Sequence, residues 1–595
     1  MLKNITSFLV LALLLSSSLP AYAQNTTPKT PNADKGIDLI WGVKIPMRDG
    51  IKLNATVYKP KKMETPLPVV FTLTPYTSGT YHNRAYYFSQ NGYVFVLVDA
   101  RGRGSSEGTF DPNKQEAKDG HDVVEWLAQQ PWSNGKVAMW GGSYAGYDQW
   151  ATLKEFPPHL TTIVPAAAAF PGLDVPILKN ISIPYWIQWM TLTSGVTANW
   201  NLFNESSFWI QKYREFYLNH LPWRHLDQLA GNLSTEFQTW MAHPRQDAYW
   251  DAMTPTDEQF ARMNRPILTI TGHYDAQQFA ALEYYKRHVR HASAEARDQH
   301  YVIVGPWDHA GTRTPNKEFG GLKFGEACML DMNKLHKEWY DWTLKGGAKP
   351  EFLKKRVAYY VAGAEEWKHA ETLDAIANSK RTLYLNSVGG RANEVFHSGS
   401  LNDAKPGKSE PDKYTYDPLD TRPAELEREE IKNYITDQRY ALNLFDNGLA
   451  YHSEPFAEDT EVSGYLKFVA WIAINVPDTD FGVTIYEIML DGTSIALTQD
   501  RLRARYRESL RQEKLVKPGE INRYEFNGFW FFSRRIAKGS RLRLVLVSPN
   551  SIYIQKNYNS GGVVSEESGK DARTAHVTLY HDAAHPSFLE IPIVK

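Results

Sequence analysis

The sequence predicts an open α/β domain interrupted by a helical cap and followed by an all-β sandwich or jelly roll. Three observations carry this. Near-continuous apolar runs recur between helical stretches in the first half, as expected of parallel strands buried on both faces. One run, Val137 to Trp140, leads into a glycine-lined corner, Gly141-Gly142-Ser143-Tyr144-Ala145-Gly146, that opens a helix. Beyond Arg356 the helical patterning gives way to short alternating strands separated by turn residues.

From Ile37 the chain alternates through Trp41 to Ile45, turns at Met47-Arg48-Asp49-Gly50 and alternates again through Leu53 to Tyr58. An Asp-Gly turn between such runs predicts a hairpin. Pro68 to Leu73 and Tyr93 to Val98 read as buried parallel strands, with a helix around Tyr86-Tyr87-Phe88 between them. Asp119 to Gln130 is an amphipathic helix with Val123, Val124, Trp126 and Leu127 inward. From Asp174 to about Arg262 strands disappear in favour of aromatic-rich helices such as Phe208 to Tyr213 and Glu236 to Met241, and we read this insertion as a cap over a site. Strands resume at Pro266 to Gly272 and His300 to Gly305, and a helix with Leu335, Trp339, Trp342 and Leu344 inward closes the unit at Gly346-Gly347. The domains expected are residues 37–173 with 263–355, the cap 174–262 and the β domain 356–595. Ser398 to about Tyr440 reads as a long surface loop.

Composition excludes some functions. The 595 residues are 42% hydrophobic and 22% charged, ordinary globular usage, and 66 Lys+Arg against 67 Asp+Glu leave a net charge of −1. Such a chain lacks the positive field that holds a nucleic acid backbone, so no nucleic-acid partner is expected. Cys328 is the sole cysteine, so no intramolecular disulfide and no zinc thiolate cluster forms. No carboxylate and histidine motif for a metal is present, and neither a metal nor a cofactor is expected. Lys3, the apolar run Phe8 to Leu15 and Ala21-Tyr22-Ala23 form a signal peptide with cleavage after Ala23, followed by a flexible leader to residue 36. The apolar run is shorter than the roughly 20 residues a bilayer span needs. The mature chain is expected to be exported, periplasmic or secreted; it is compatible with a homo-oligomer.

The corner at Ser143 has the layout of a nucleophile elbow, although its second glycine, Gly146, falls one position later than in the strict motif. The strained turn lifts a hydroxyl above the sheet edge and aims the Tyr144 amide at a carbonyl oxygen that becomes negative. A serine needs a base in contact, and the base needs an acceptor on its other nitrogen. Asp275 and His309 follow two consecutive strands, in the Ser, Asp, His order of α/β-hydrolases. Thr74-Pro75-Tyr76 follows another strand, within reach of the serine. Asp308 on an extended segment points away from its neighbour, and His121 with Asp122 reads as a solvated or sheet-edge pair. The loop Asp99 to Gly108 lacks a phosphate-binding signature and reads as a structural turn. His273 is a candidate pocket residue.

These residues resemble a known family. The elbow, the preceding Gly135-Lys136-Val137, Thr74-Pro75-Tyr76, Tyr274-Asp275, Gly305-Pro306-Trp307-Asp308-His309 and Asp478-Thr479-Asp480-Phe481 look like the CocE/NonD family. That family comprises cocaine esterases, α-amino-acid ester hydrolases, glutaryl-cephalosporin acylases and X-Pro dipeptidyl-peptidase relatives. The resemblance implies an α/β-hydrolase domain, a helical cap and a C-terminal jelly roll. It also implies that Tyr76 donates its phenol hydroxyl to the oxyanion hole beside the Tyr144 amide. α-Amino-acid ester hydrolases place two carboxylates just after the catalytic acid, where this chain has Gln277 and Gln278. Asp174 is the remaining candidate for an ammonium anchor, so acyl groups without a free α-amine are expected. The expectation is a serine hydrolase acting on a small-molecule ester or amide. Dipeptidyl-peptidase or α-amino-acid ester hydrolase activity is the enzymatic alternative. A glycan- or partner-binding protein with a vestigial hydrolase domain is the non-enzymatic one.

Overall fold

The computed structural model describes residues 36–595, so the signal peptide and most of the leader lie outside the described residues. Ten strands form the first sheet: β1 (Ile37–Pro46), β2 (Lys52–Pro60), β3 (Leu67–Thr74), β4 (Val94–Asp99), β5 (Ser133–Gly142), β6 (Leu160–Ala166), β7 (Ile267–Tyr274), β8 (His300–Asp308), β9 (Val357–Val361) and β10 (Glu366–Ala370). Their spatial order is β1-β2-β4-β3-β5-β6-β7-β8-β9-β10. β4 through β9 run parallel, whereas the β1–β2 hairpin and β10 pair antiparallel at the edges. The hairpin turns at Gly50, which closes onto the Met47 carbonyl with φ of 88°.

Side chains alternate along each central strand and so feed two cores. Phe71, Val96, Met139 and Ile163 pack under helices Glu116–Ala128, Tyr144–Leu153 and Gln278–His291 through Val124, Trp150 and Tyr284. Val70, Phe95, Ala138 and Ile303 face helices His82–Gln90 and Met332–Lys345 through Phe88 and Trp339. The last helix stops at Gly346, whose φ of 72° an L side chain adopts only at a cost.

Between β6 and β7 lie the helices Tyr185–Thr193, Ser206–Leu218 and Thr235–Ala242, with shorter ones among them. Their core is aromatic, with Trp186, Trp189, Trp209, Trp240 and Trp250 buried, and it includes Tyr76 and Tyr144 from the sheet domain. From Ser379 onward thirteen strands share one network around a core containing Phe468, Ile485, Leu544 and Leu589. The chain is thus an α/β domain followed by a β-rich domain.

Two expectations about the second half need correction. Val357 to Val361 reads as the first strand of the β domain, but it pairs parallel to β8 and completes the first sheet with β10. Its apolar run suits either sheet, and only the pairing partner decides. Ser398 to Tyr440 is not one surface loop. Gly399–Asn402 and Asp412–Tyr416 are strands of the β network, and Pro423, Ala424, Glu427 and Ile435 are buried. Its polar composition conceals these because Asp412 is itself buried, bonded to Tyr451, His581 and Ser387.

Candidate active site

The elbow follows from what the backbone must avoid. Ser143 sits at φ 62° and ψ −125°, a strained conformation for any residue with a Cβ, between β5 and helix Tyr144–Leu153. Its amide donates to the Ala166 carbonyl of β6 at 2.9 Å, which fixes the turn against the sheet. A Cβ on Gly146 would lie 2.7 Å from that same carbonyl, so only glycine lets the helix leave the sheet here. As first residue of the helix, Tyr144 presents an amide with no acceptor in the helix itself.

Asp275 and His309 meet at the ends of β7 and β8. The Asp275 carboxylate, fully buried, accepts from His309 Nδ1 at 2.7 Å and from the Gln277 amide at 3.0 Å. Its other oxygen accepts from the Thr271 hydroxyl at 2.8 Å. The imidazole side chain keeps 33% of its surface exposed. The carboxylate is therefore satisfied before any substrate arrives, and the ring orientation is set by it. Asp308 caps the following turn by accepting from the Gly311 amide, away from the imidazole. His121 and Asp122 both lie at Arg48 on the first hairpin, as an edge pair.

Tyr76 is buried beneath the helical insertion, with its hydroxyl against the Ser143 side chain. That oxygen accepts from Trp189 Nε1 at 3.1 Å. Burial pushes the phenol up to about 12, so it remains a protonated donor at neutral pH. The Tyr144 ring stacks on Trp189, and its hydroxyl donates to Glu116 while accepting from the Asn113 amide at 2.6 Å.

A small pocket of about 30 Å³ joins Tyr76, Ser143 and Tyr144 and is further lined by Asn113, Ala169, Val175, Tyr185, Trp186, Trp189 and Gln277; Asp275 and His309 do not line it. Of the four pocket candidates only Gln277 lies in it. Gln278 points to the β domain, where its amide donates to the Phe531 carbonyl at 2.7 Å and accepts from the Phe531 amide at 2.8 Å. Consecutive residues at a helix start face different sides, which separates the pair. His273 lines a second, larger cavity against the β domain, not the serine pocket. Asp174 is buried behind the pocket wall that Val175 forms, and accepts from the Phe170 amide at 2.8 Å. Burial raises its pKa well above the ordinary carboxylate range, and the charge of Asp275 adds to that.

Trp186, Trp189 and Asn113 have no motif in the sequence; the aromatic richness of the insertion was their only signal. Arg103 also escapes the reading of its loop as a mere turn. It is fully buried and donates to the Pro75 carbonyl at 2.7 Å and to the Thr193 carbonyl at 2.8 Å, tying the Tyr76 loop to the helical insertion.

A parallel sheet with a serine at a strained strand-to-helix corner, and an acid and imidazole at the ends of two later strands, is the layout of an α/β-hydrolase. Residues 49–311 match the X-Pro dipeptidyl-peptidase (S15 family) model, and residues 350–590 match the X-Pro dipeptidyl-peptidase C-terminal non-catalytic domain. A cocaine esterase from Rhodococcus sp. is 27% identical over 583 residues, covering 93% of this chain and 98% of the relative. The chain thus carries an S15 peptidase domain followed by the C-terminal domain of X-Pro dipeptidyl-peptidases, and it is a homologue of cocaine esterase along most of its length. Solved structures share the fold. An aminopeptidase from a marine sediment Thaumarchaeota archaeon superposes with a TM-score of 0.81 at 22% identity, covering 95% of this chain and 98% of that one. An α-amino acid ester hydrolase does so with 0.81 at 20% identity, covering 96% and 100%.

Proposed function

We propose that this protein is an exported serine esterase or acylase that forms an acyl-enzyme on Ser143. His309 takes the serine proton and returns it to the leaving group, and Asp275 holds the imidazole in the tautomer that accepts at Nε2. The Tyr144 amide and the Tyr76 hydroxyl donate to the oxyanion of the tetrahedral intermediate. Because Tyr76 accepts from Trp189, its own proton is left for that oxyanion. Residues 174–262 act as the cap that shields the acyl-enzyme, and the β-rich domain is a jelly roll. The N-terminal segment ending at Ala23 directs export to the periplasm or medium. The observation that carries the reading is the buried Asp275 bonded to His309 at 2.7 Å, at the sheet edge where Ser143 sits in its strained turn.

The pocket walls indicate the substrate class. Among the described residues, none that lines the serine pocket is a carboxylate, and Tyr185, Trp186 and Val175 make it apolar. An ammonium placed there would lose charge-assisted bonds worth about 1.5–3 kcal/mol each. We therefore assign small uncharged acyl groups without a free α-amine, in ester or amide linkage. The test is turnover of paired p-nitrophenyl esters and p-nitroanilides, with and without an α-amine, by wild type and Ser143→Ala. Wild type should turn over the unaminated acyl groups, and Ser143→Ala should lose roughly four orders of magnitude. Tyr76→Phe should lower kcat by about a hundredfold. Equal or better turnover of the α-amino substrates would favour the aminopeptidase-like alternative. Absence of both turnover and fluorophosphonate labelling of wild type would overturn the enzyme reading in favour of a binding protein.

A further inference from the structure

A cavity of about 410 Å³ lies between the β domain and the end of β7, far larger than the serine pocket. Its floor is one face of three adjacent strands of the β network, Ser494–Arg503, Asp480–Ile488 and Arg541–Val547. Arg501 stands opposite Gly482, which stands opposite Val547 on the third strand. Gly482 lacks a side chain, Pro549 and Val547 pack over it, and Arg501 lines the cavity beside them. Tyr440, Tyr553 and Trp530 supply aromatic wall, and His273 closes the hydrolase side.

The charges around Arg501 do not balance. Asp480 is held bidentately by Arg503, at 2.8 and 3.0 Å. Asp500 is taken by Lys179 at 2.7 Å. Asp437, the other carboxylate in the wall, is held by Arg439. Among the described residues the half-buried Arg501 guanidinium has no hydrogen-bond or ion-pair partner, and burial lowers its pKa. His273 is also unsatisfied: its Nε2 is buried with no partner. A lone cation and an unpartnered imidazole, supplied by two domains to one aromatic-walled cavity, are the polar features of a ligand site. The charge that completes them is one negative charge, and a planar carboxylate matches the guanidinium fork.

We propose that this interdomain cavity is a binding site, distinct from the serine pocket, for a carboxylate on an apolar or aromatic stem. Arg501 pairs with the carboxylate and the aromatic walls cover the stem. The single unpaired cation favours a monoanion over phosphate, whose second charge would remain unpaired. Tyr434, in the same wall, is within electrostatic reach of Asp308, the residue before His309. The site therefore lies beside the strand ends that hold Asp275 and His309.

The experiment is calorimetric titration of the full chain carrying Ser143→Ala with 3-phenylpropionate and with its neutral amide, so that no turnover interferes. Saturable binding is expected, with the acid at least about tenfold tighter than the amide. Adding Arg501→Gln should erase that preference. Ala496→Phe, which fills the cavity and leaves Arg501 in place, should abolish binding of both probes. Absence of saturable acid binding, equal binding of acid and amide, or an unchanged preference in Arg501→Gln would each overturn the proposal, as would undiminished binding in Ala496→Phe.

Discussion

Two buried carboxylate pairs in this molecule differ in what surrounds their partners. At the edge of the first sheet, Asp275 is fully buried but its partner His309 keeps a third of its side chain exposed. In the β domain, Asp480 and Arg503 are 2% exposed each, and Asp478 beside them is fully buried with Arg505. Asn557 bridges the two carboxylates at 2.9 Å, and Arg503 donates to the Asn180 carbonyl at 2.9 Å and to Gln555 at 3.1 Å. The second cluster is turned inward: its carboxylates are taken by Arg503, Arg505 and Asn557, and it joins residues near Asn180 to the β domain. The first is open on one side, where a proton can be exchanged. The sequence marked both, through Tyr274-Asp275 with Trp307-Asp308-His309 and through Asp478-Thr479-Asp480-Phe481, and their exposure is what differs.

Substitution at either pair separates the two roles. The largest effect belongs to the open one: Asp275→Asn should lower kcat by roughly ten-thousandfold through the wrong imidazole tautomer. The melting temperature should move little, because an amide keeps most of the bonds that the carboxylate makes. A loss of fold rather than of rate would place Asp275 with the structural cluster. In the inward-turned pair, Asp480→Ala leaves Arg503 charged and buried, and should cost about 3–5 kcal/mol in denaturant unfolding. Ester turnover by the remaining folded protein should stay near wild type. A specific loss of turnover would tie the β domain to the chemistry.

A smaller effect comes from the carboxyls under the elbow helix. Burial pushes Glu116 up to about 7 from an ordinary value of 4.5, although the Tyr144 hydroxyl partly offsets this. Asp148, also buried, is raised in the same direction. A carboxyl with a raised folded pKa contributes stability that is full below its unfolded value and is lost as pH rises through the folded one. Unfolding free energy should therefore fall by about 2 kcal/mol more in wild type than in Glu116→Gln between pH 5 and 8. Parallel pH profiles would show that Glu116 is charged in both states.

Much of this was legible because it is local. Ser143 announces itself through flanking glycines, since a strained corner packed against Ala166 leaves no room for a Cβ at Gly146. Apolar runs marked the strands of the first sheet and the alternation beyond Arg356 marked the β-rich domain, because side-chain period follows backbone geometry. The reading failed where the local signal fits two partners. Val357 to Val361 suits either sheet, and its place beside β8 comes from pairing with residues far away in sequence.

The sequence by itself determined the kinds of domain, the order of Ser143, Asp275 and His309, and the turns that carry them, all of which depend on residues within a few positions. Tertiary structure alone decided that Gln277 faces the serine while Gln278 bonds Phe531 across the domain boundary. It alone sent His273 to the larger cavity, closed Trp189 onto Tyr76 and, among the described residues, left the Arg501 guanidinium without a hydrogen-bond partner. The physical reason is that a motif fixes where a residue sits on its element, whereas what its side chain meets depends on elements packed from elsewhere in the chain.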